Sequence, residues 1–258
     1  MATTTLERPA NQTPAAGSRT HATAHGRAGP APYRTTATIV GILYLAGMVV
    51  GITGNVLIQS ILATPDHLSV VTANSLSLAI GAMLILTAGV WDAAHGILMF
   101  PVLRQHGERI AVGYLGYRLV DAAFIGLWAL LLLVQIPLGR EYLNAGAADA
   151  FGLRALSAVS VQASLYAYQI SMIFLGLAGM LLTHTLYRAR LVPRSIAAWG
   201  LAGYAIHLGG AAVAVLGFDA GLIPTIPGGL WELFIGVWLI ARGFSSPTIT
   251  SDVVPPSR

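Results

Sequence analysis

Six long stretches that are nearly free of charge constrain the fold of this chain more than any other feature. In the first of them, no charged residue occurs between Arg34 and Asp66. About 20 apolar residues are enough for a helix to cross the hydrocarbon core of a bilayer. The stretches lie at 36–62, 76–103, 110–138, 158–187, 195–218 and 226–244. We therefore predict an all-α integral membrane bundle of six transmembrane helices.

The composition excludes a water-soluble domain and several classes of functional site. The residues are 55% hydrophobic and 9% charged, whereas a soluble domain typically carries about 25% charged residues. Cysteine is absent, which excludes disulfides, thiolate nucleophiles and cysteine-ligated metal sites. Basic patches with interleaved aromatic residues are missing, so we expect no nucleic-acid partner. We also expect no cofactor, because the sequence has no P-loop, dinucleotide glycine motif or GxSxG.

The two ends of the chain differ in composition from the membrane portion. The N-terminal segment is rich in Ala, Thr, Pro and Arg and lacks the apolar core of a secretory signal. We predict disordered tails at 1–35 and 245–258 and a transmembrane domain at 36–244.

The arginines are distributed unevenly between the two sides of the predicted bundle. All 14 basic residues are Arg, and 11 of them fall in the tails and in the loops on the side of the tails. The opposite loops carry only Arg140 and Arg154, and Arg118 lies within a span. Basic loops stay in the cytoplasm. We therefore predict cytoplasmic termini in a multi-pass protein of the bacterial plasma membrane, with the lipid bilayer as its surroundings.

Charged side chains interrupt the second and third stretches close to the turn that joins them. A charge in hydrocarbon costs a few kcal/mol at least, so such residues face the interior of a bundle and find partners there. Asp92 and His95 are spaced i, i+3, as are Arg118 and Asp121, and each pair therefore shares one helix face. Antiparallel pairing about the turn at His106 places both pairs at similar depth. We expect Arg118 to have Asp121 beneath it and either Asp92 or His95 across from it.

Two further polar residues lie at comparable depth in the last two stretches. With a rise of about 1.5 Å per residue, Arg118, Glu232 and His207 lie roughly 12, 15 and 18 Å from the cytoplasmic side. We predict one polar cluster among the second, third, fifth and sixth spans, formed by Asp92, His95, Arg118, Asp121, His207 and Glu232. Tyr166, Tyr168 and Gln169 of the fourth span are candidates for a cavity wall or for an interfacial belt.

The cluster contains three carboxyl groups and one arginine, so something must offset the excess negative charge in a medium of low dielectric. Protonation of a carboxyl, a charged histidine, a bound cation or a water-filled cavity would each do so. The first hypothesis is a non-enzymatic protein that binds or moves a small solute, proton or cation. A second is an intramembrane metal-dependent enzyme acting on a lipid or quinone, with Asp92, His95, His207 and Glu232 as ligands. A third is a structural or regulatory accessory subunit; the oligomeric state stays open.

Gly47 and Gly51 form a GxxxG pattern in the first stretch. Such a pattern allows another helix to approach closely. Because glycine is common in membrane helices, the pattern is equally compatible with no special role.

Four segments of the chain resemble recurring segments of a known bacterial multi-pass family. They read GYRLVDAAFIGL, SLYAYQISMIFLGL, LYRARLVPRSIAAWGLAGYAIHL and LWELFIGVWLIARGF. The family is catalogued as domain of unknown function 4386, and the resemblance covers about 36–244. Its members tend to have Glu or Gln where Asp121 stands here, and often His where Ser164 stands. The resemblance implies a six-helix membrane protein and supplies no established activity.

Overall fold

Eight α-helices and no strand form the part of the chain that the computed structural model describes, residues 33–245. The predicted tails lie almost wholly outside the described residues. A 3-10 turn, Ile223–Thr225, precedes the last helix. In chain order the helices are α1 (Arg34–Leu62), α2 (His67–Val71), α3 (Ser75–Arg104), α4 (Glu108–Leu133), α5 (Gln135–Asn144), α6 (Ala147–Ala189), α7 (Arg194–Val215) and α8 (Ile226–Ala241).

Six of these helices are long and apolar enough to cross a membrane: α1, α3, α4 with its continuation α5, α6, α7, and α8 with its 3-10 turn. The predicted fold class is therefore confirmed. The helix ends differ from the apolar stretches in two places. The third stretch breaks at Val134, where α4 ends and α5 begins. The fourth span is a single helix of 43 residues that extends well beyond the apolar stretch at its N-terminal side.

The spanning helices form a closed ring. Each packs against its neighbours in chain order, α1 on α3, α3 on α4, α4 on α6, α6 on α7 and α7 on α8, and α8 returns to pack on α1. A ring of six helices has an interior that no helix occupies. The site described below lies in that interior.

Glycine contacts bring α1 close to both of its neighbours in the ring. A side chain at Gly41 would come within 2.6 Å of the carbonyl oxygen of Gly236 in α8. One at Gly54 would come within 2.7 Å of the carbonyl oxygen of Gly81 in α3. The missing Cβ atoms let these backbones touch, as is usual where membrane helices cross.

Gly47 and Gly51 are not at a helix crossing in this chain. A side chain at Gly47 would meet no atom within 4 Å, and one at Gly51 would meet only Ala88, at 3.8 Å. Both glycines instead lie on the wall of the central cavity. Their lack of side chains widens that cavity.

The arginine-rich end of the ring, where α1 begins and α8 ends, is tightly packed. Arg34 donates hydrogen bonds to the carbonyl oxygens of Ile240, at 2.7 Å, and Leu239, at 3.2 Å. These contacts satisfy carbonyl groups at the end of α8 that have no partner within the helix. A continuous apolar core lies just inside this end, formed by Ala37, Val40, Met99, Val102, Leu103, Ala111, Tyr114, Ala178, Leu182, Leu186, Leu191, Val192, Ile196, Ala197, Tyr204, Trp231, Ile235 and Leu239.

The opposite end of the ring is held by polar contacts between the segments that connect the spanning helices. His67 of α2 bonds to Ser157 of α6 at 2.8 Å, and Ser157 donates to Gln135 of α5 at 2.6 Å. Arg154 pairs with Asp66 at 3.3 Å across the same connection. This end is therefore linked by polar side chains at its periphery and by a small apolar cluster of Ile61, Val71 and Leu78, whereas the arginine-rich end contains the large apolar core.

Candidate functional site

A cavity of about 430 Å³ occupies the interior of the ring. Its wall comes from α1, α3, α4, α6 and α8, together with Leu222 from the connection between α7 and α8. Ligand-binding pockets in proteins commonly measure about 300–1,000 Å³. The cavity is thus large enough for a small organic molecule.

The charged groups lie together at one end of this cavity. Arg118 is ten residues from the start of α4, and Glu232 is nine residues from the end of α8. At about 1.5 Å per residue both are roughly 14–15 Å from the arginine-rich end, near the middle of a bilayer core about 30 Å thick. Tyr44, Asp92 and His95 line the same end of the cavity. We call these five residues the floor.

Arg118 is held between two carboxylates. Its Nη2 donates to Oδ1 of Asp92 in a short ion pair, and its Nε donates to the backbone oxygen of Asp92 at 3.3 Å. Its Nη1 lies 3.4 Å from Oδ2 of Asp121, one helical turn further along α4. Two negative charges therefore surround the buried guanidinium, which makes the charge tolerable in a membrane interior. Of the two partners expected across from Arg118, the structure selects Asp92.

The three charged side chains differ in their access to the cavity. The side chain of Asp92 is 34% exposed, whereas those of Arg118 and Asp121 are 5% and 1% exposed. Asp121 accepts a hydrogen bond from Ser171 of α6 at 2.6 Å, which closes off its other oxygen. The group that the ion pair presents to the cavity is therefore a carboxylate, with the guanidinium behind it.

His95 lies on the floor beside the ion pair and makes one hydrogen bond. Its Nδ1 is 2.6 Å from the hydroxyl of Tyr114, and which of the two donates depends on the histidine tautomer. The ring of Tyr44 packs edge-on against it, with centroids 4.5 Å apart. The side chain is buried, and its Nε2 has no hydrogen-bond partner within residues 33–245.

Glu232 completes the floor from α8. Its Oε1 accepts a hydrogen bond from the hydroxyl of Tyr204 at 2.7 Å. Its second oxygen has no hydrogen-bond partner among the described residues, and the residue lines the cavity. Glu232 and Asp92 thus both offer carboxylate oxygens to the same space.

Above the floor the wall is aromatic and apolar, and the far end is open. The rings of Trp128 and Tyr168 lie against each other, with centroids 4.8 Å apart. At the far end the wall includes exposed side chains, Gln59 of α1, Leu165 of α6 and Leu222. The last helix, α8, has only 16 residues, whereas α1 has 29 and α6 has 43. On the other side of the floor, the apolar core of the arginine-rich end closes the ring.

The structure does not bring His207 and Tyr166 to the central cavity. His207 lines a separate cavity of about 110 Å³ beside the connection between α7 and α8, and in the described part of the chain its Nε2 has no hydrogen-bond partner. Tyr168 and Gln169 line both cavities and so lie between them. Tyr166 is 42% exposed and lines neither. Of the six residues predicted to cluster, four lie on the floor, Asp121 lies directly behind it, and His207 is apart.

The arrangement of donors gives no support to a metal site. Within residues 33–245, no three His, Asp or Glu side chains are grouped closely enough to hold a metal ion. One nitrogen of His95 is bonded to Tyr114, and His207 lines a different cavity from Asp92 and Glu232. A bound metal needs several such ligands at once.

Sequence reasoning missed three tyrosines that belong to the site. Tyr44 lies on the floor, Tyr114 bonds to His95 and Tyr204 bonds to Glu232. Each stands well inside a span, whereas tyrosines that anchor a helix lie at the membrane interface. Their depth was therefore a signal that could have identified them.

One family model matches the chain, over residues 39–243, and its description is domain of unknown function, DUF4386. The chain belongs to this family. No curated protein and no solved structure gives a match. The DUF4386 match covers all six spanning helices and every residue of the floor, so the cavity lies wholly within the part of the chain that defines the family. The six helices that are long and apolar enough to cross a membrane support a multi-pass membrane protein.

Proposed function

We propose that this DUF4386 protein binds a small solute, proton or cation in the central cavity and moves it across the membrane without changing it chemically. One observation carries the proposal. Ionisable side chains from α3 and α8, Asp92 and Glu232, line a cavity that is open at one end and closed by an apolar core at the other. Intramembrane carboxylates facing a cavity are typical of ion and solute pathways.

The two rival functions receive less support from the site. A metal-dependent enzyme needs ligands that the described residues do not group together. A purely structural ion network needs no open carboxylate, yet Asp92 is the most exposed member of the network, at 34%. An ionisable side chain that faces a cavity at this depth is the usual mark of a binding site or a solute pathway.

The proposal includes a direction. With both termini in the cytoplasm of a cell bounded by the plasma membrane, the open far end of the cavity, its mouth, faces the outside. The solute enters the mouth and reaches the floor, and the apolar core of the arginine-rich end must open to release it inside. No nucleic acid takes part.

Proton movement provides the first test of this proposal. The purified protein is reconstituted in liposomes that contain a pH-sensitive dye, and the external pH is stepped between about pH 5 and 8. We expect a proton or cation-dependent flux in the wild type that Asp92→Asn and Glu232→Gln abolish. Liposomes indifferent to pH and to added cations over this range contradict the proposal.

A cavity-filling substitution provides the matched control. A side chain at Gly47 meets no atom within 4 Å and points into the cavity, so Gly47→Phe should block the flux without disturbing the backbone. Gly126 of α4 also has no atom within 4 Å of an added Cβ, but it lies off the cavity wall. Gly126→Phe should therefore keep the flux, and equal loss in both variants contradicts transport through the cavity.

A further inference from the structure

We infer that the ligand of the central cavity is an organic ammonium ion, with a cationic amine at the floor and an apolar or aromatic body above it. This inference rests on the proposed function and names the class of solute. Three features of the cavity carry it: the sign of the accessible charge, the unused hydrogen-bond acceptors and the aromatic wall.

The side chains that the floor presents to the cavity are mainly acidic. Asp92 and Glu232 line the cavity, and the only basic residue on its wall, among those the structure describes, is Arg118. The Arg118 side chain is 5% exposed and is held by Asp92 and Asp121, so it is a poor partner for an incoming anion. An anion would meet two carboxylates before reaching it. A cation instead relieves the excess negative charge.

The floor also holds hydrogen-bond acceptors without partners. One oxygen of Asp92 and one of Glu232 accept no hydrogen bond from the described residues. His95, only 2% exposed, lines the cavity with an unpartnered Nε2, which accepts when its Nδ1 carries the proton. A primary ammonium group has three N–H donors. An ammonium group can therefore donate to more than one of these acceptors, whereas a bare proton would satisfy only one.

The wall above the floor suits an apolar body. Tyr44, Trp91, Trp128 and Tyr168 line the cavity together with nine Leu, Ile and Met side chains. Three amide side chains, Asn55, Gln59 and Gln169, also lie on this wall. Aromatic rings attract organic cations through their electron-rich faces and also pack against apolar groups. The volume of about 430 Å³ exceeds what a bare ion requires. Gly47 and Gly51 leave that space open along α1.

The test uses three probes of nearly equal shape and different charge: 2-phenylethylamine, which is cationic at neutral pH, 2-phenylethanol, which is neutral, and phenylacetate, which is anionic. Because Trp91 and Trp128 line the cavity, their fluorescence reports binding to the full-length protein in lipid nanodiscs. We expect saturable quenching by the amine, at least about tenfold weaker binding of the alcohol, and no saturable binding of the acid.

Variants separate the charge from the cavity. Asp92→Asn and Glu232→Gln should each weaken binding of the amine by about tenfold or more, and Gly47→Phe should abolish it. Gly126→Phe should bind as the wild type does. A circular dichroism melt of each variant checks that the fold persists, and Glu232→Asp, which keeps the charge, should retain part of the binding.

The outcomes distinguish the inference from the proposed function. Equal binding of all three probes, or amine binding unaffected by both carboxylate substitutions, overturns the ammonium inference. If the wild-type protein does not bind the amine but carries a proton flux that depends on Asp92, the ammonium inference is overturned and the proposed function stands. Absence of both binding and flux overturns both.

Discussion

The two halves of the ring are built from the same six helices but differ in what lies in the interior. At the arginine-rich end, α1 and α8 touch backbone to backbone at Gly41 and Gly236, and a large apolar core fills the interior. Between six and 18 residues further along α1, Gly47, Gly51 and Gln59 line a cavity instead. The floor lies at the boundary between the two halves.

Glycine has opposite roles at two positions of α1. Gly41 allows a neighbour to come close, so it closes the ring. Gly47 lies where no neighbour comes close, so its missing side chain enlarges the interior. The consequence is a funnel with one open end and a charged floor, which is the shape expected for a binding site reached from one side.

The largest effect is expected in a test of membrane topology, because each introduced cysteine is either labelled from outside the cell or not labelled at all. The chain has no cysteine, so single cysteines can be introduced without a background signal. His106, in the turn between α3 and α4, is exposed at the arginine-rich end, and Asn144 is exposed at the opposite end. In intact cells an impermeant maleimide should label Asn144→Cys, and His106→Cys only after permeabilisation. The reverse pattern would place the open half toward the cytoplasm.

Arg118→Leu should be the most destabilising single substitution at the floor. It leaves Asp92 and Asp121 without their cationic partner, and breaking a buried pair in this way costs about 3–5 kcal/mol. Thermal unfolding in detergent measures the loss. Arg118→Leu combined with Asp121→Leu removes the sealed carboxylate as well and should recover much of the stability. An Arg118→Leu variant as stable as the wild type contradicts a structural contribution of the ion pair.

Two substitutions in α1, Gly41→Leu and Gly47→Leu, test whether this helix is packed differently in the closed and the open half. Gly41→Leu places its Cβ 2.6 Å from the carbonyl oxygen of Gly236, and overpacking of this kind costs about 1–3 kcal/mol. At Gly47 an added Cβ meets no described atom within 4 Å, and Gly47→Leu replaces a poor helix former, so the free energy of unfolding of this variant should be unchanged or slightly higher. Equal destabilisation by both substitutions would mean that α1 is packed alike in both halves.

The smallest effect is expected at the rim of the open half. Arg154 and Asp66 form an ion pair at 3.3 Å, but their side chains are 59% and 49% exposed. Such exposed pairs contribute about 0–1 kcal/mol, so Arg154→Gln should shift the unfolding temperature little and its effect should fade at high salt. A large, salt-independent loss would show that this contact organises the mouth.

Much of the fold was available from the sequence, because a long run of apolar residues has no other stable place than a membrane. The confirmed six spans and the confirmed family follow from such local signals. The sequence predicted the pairing of Arg118 with Asp92 only in part. Antiparallel pairing of the two helices placed Arg118 at the depth of both Asp92 and His95 and left them as alternatives. Rotation of each helix about its own axis chose between them.

What the sequence alone determined was which segments enter the membrane and which of their side chains must avoid lipid. The solvation cost of each residue is fixed by its own chemistry, so Asp92, Arg118, Asp121 and Glu232 had to turn inward wherever the helices lay. Tertiary structure alone decided that His207 lies apart, that Tyr44, Tyr114 and Tyr204 join the site and that Gly47 faces a cavity. Lipid-facing and protein-facing surfaces are both apolar in a membrane bundle, so the apolar pattern does not set which face of a helix meets its neighbour.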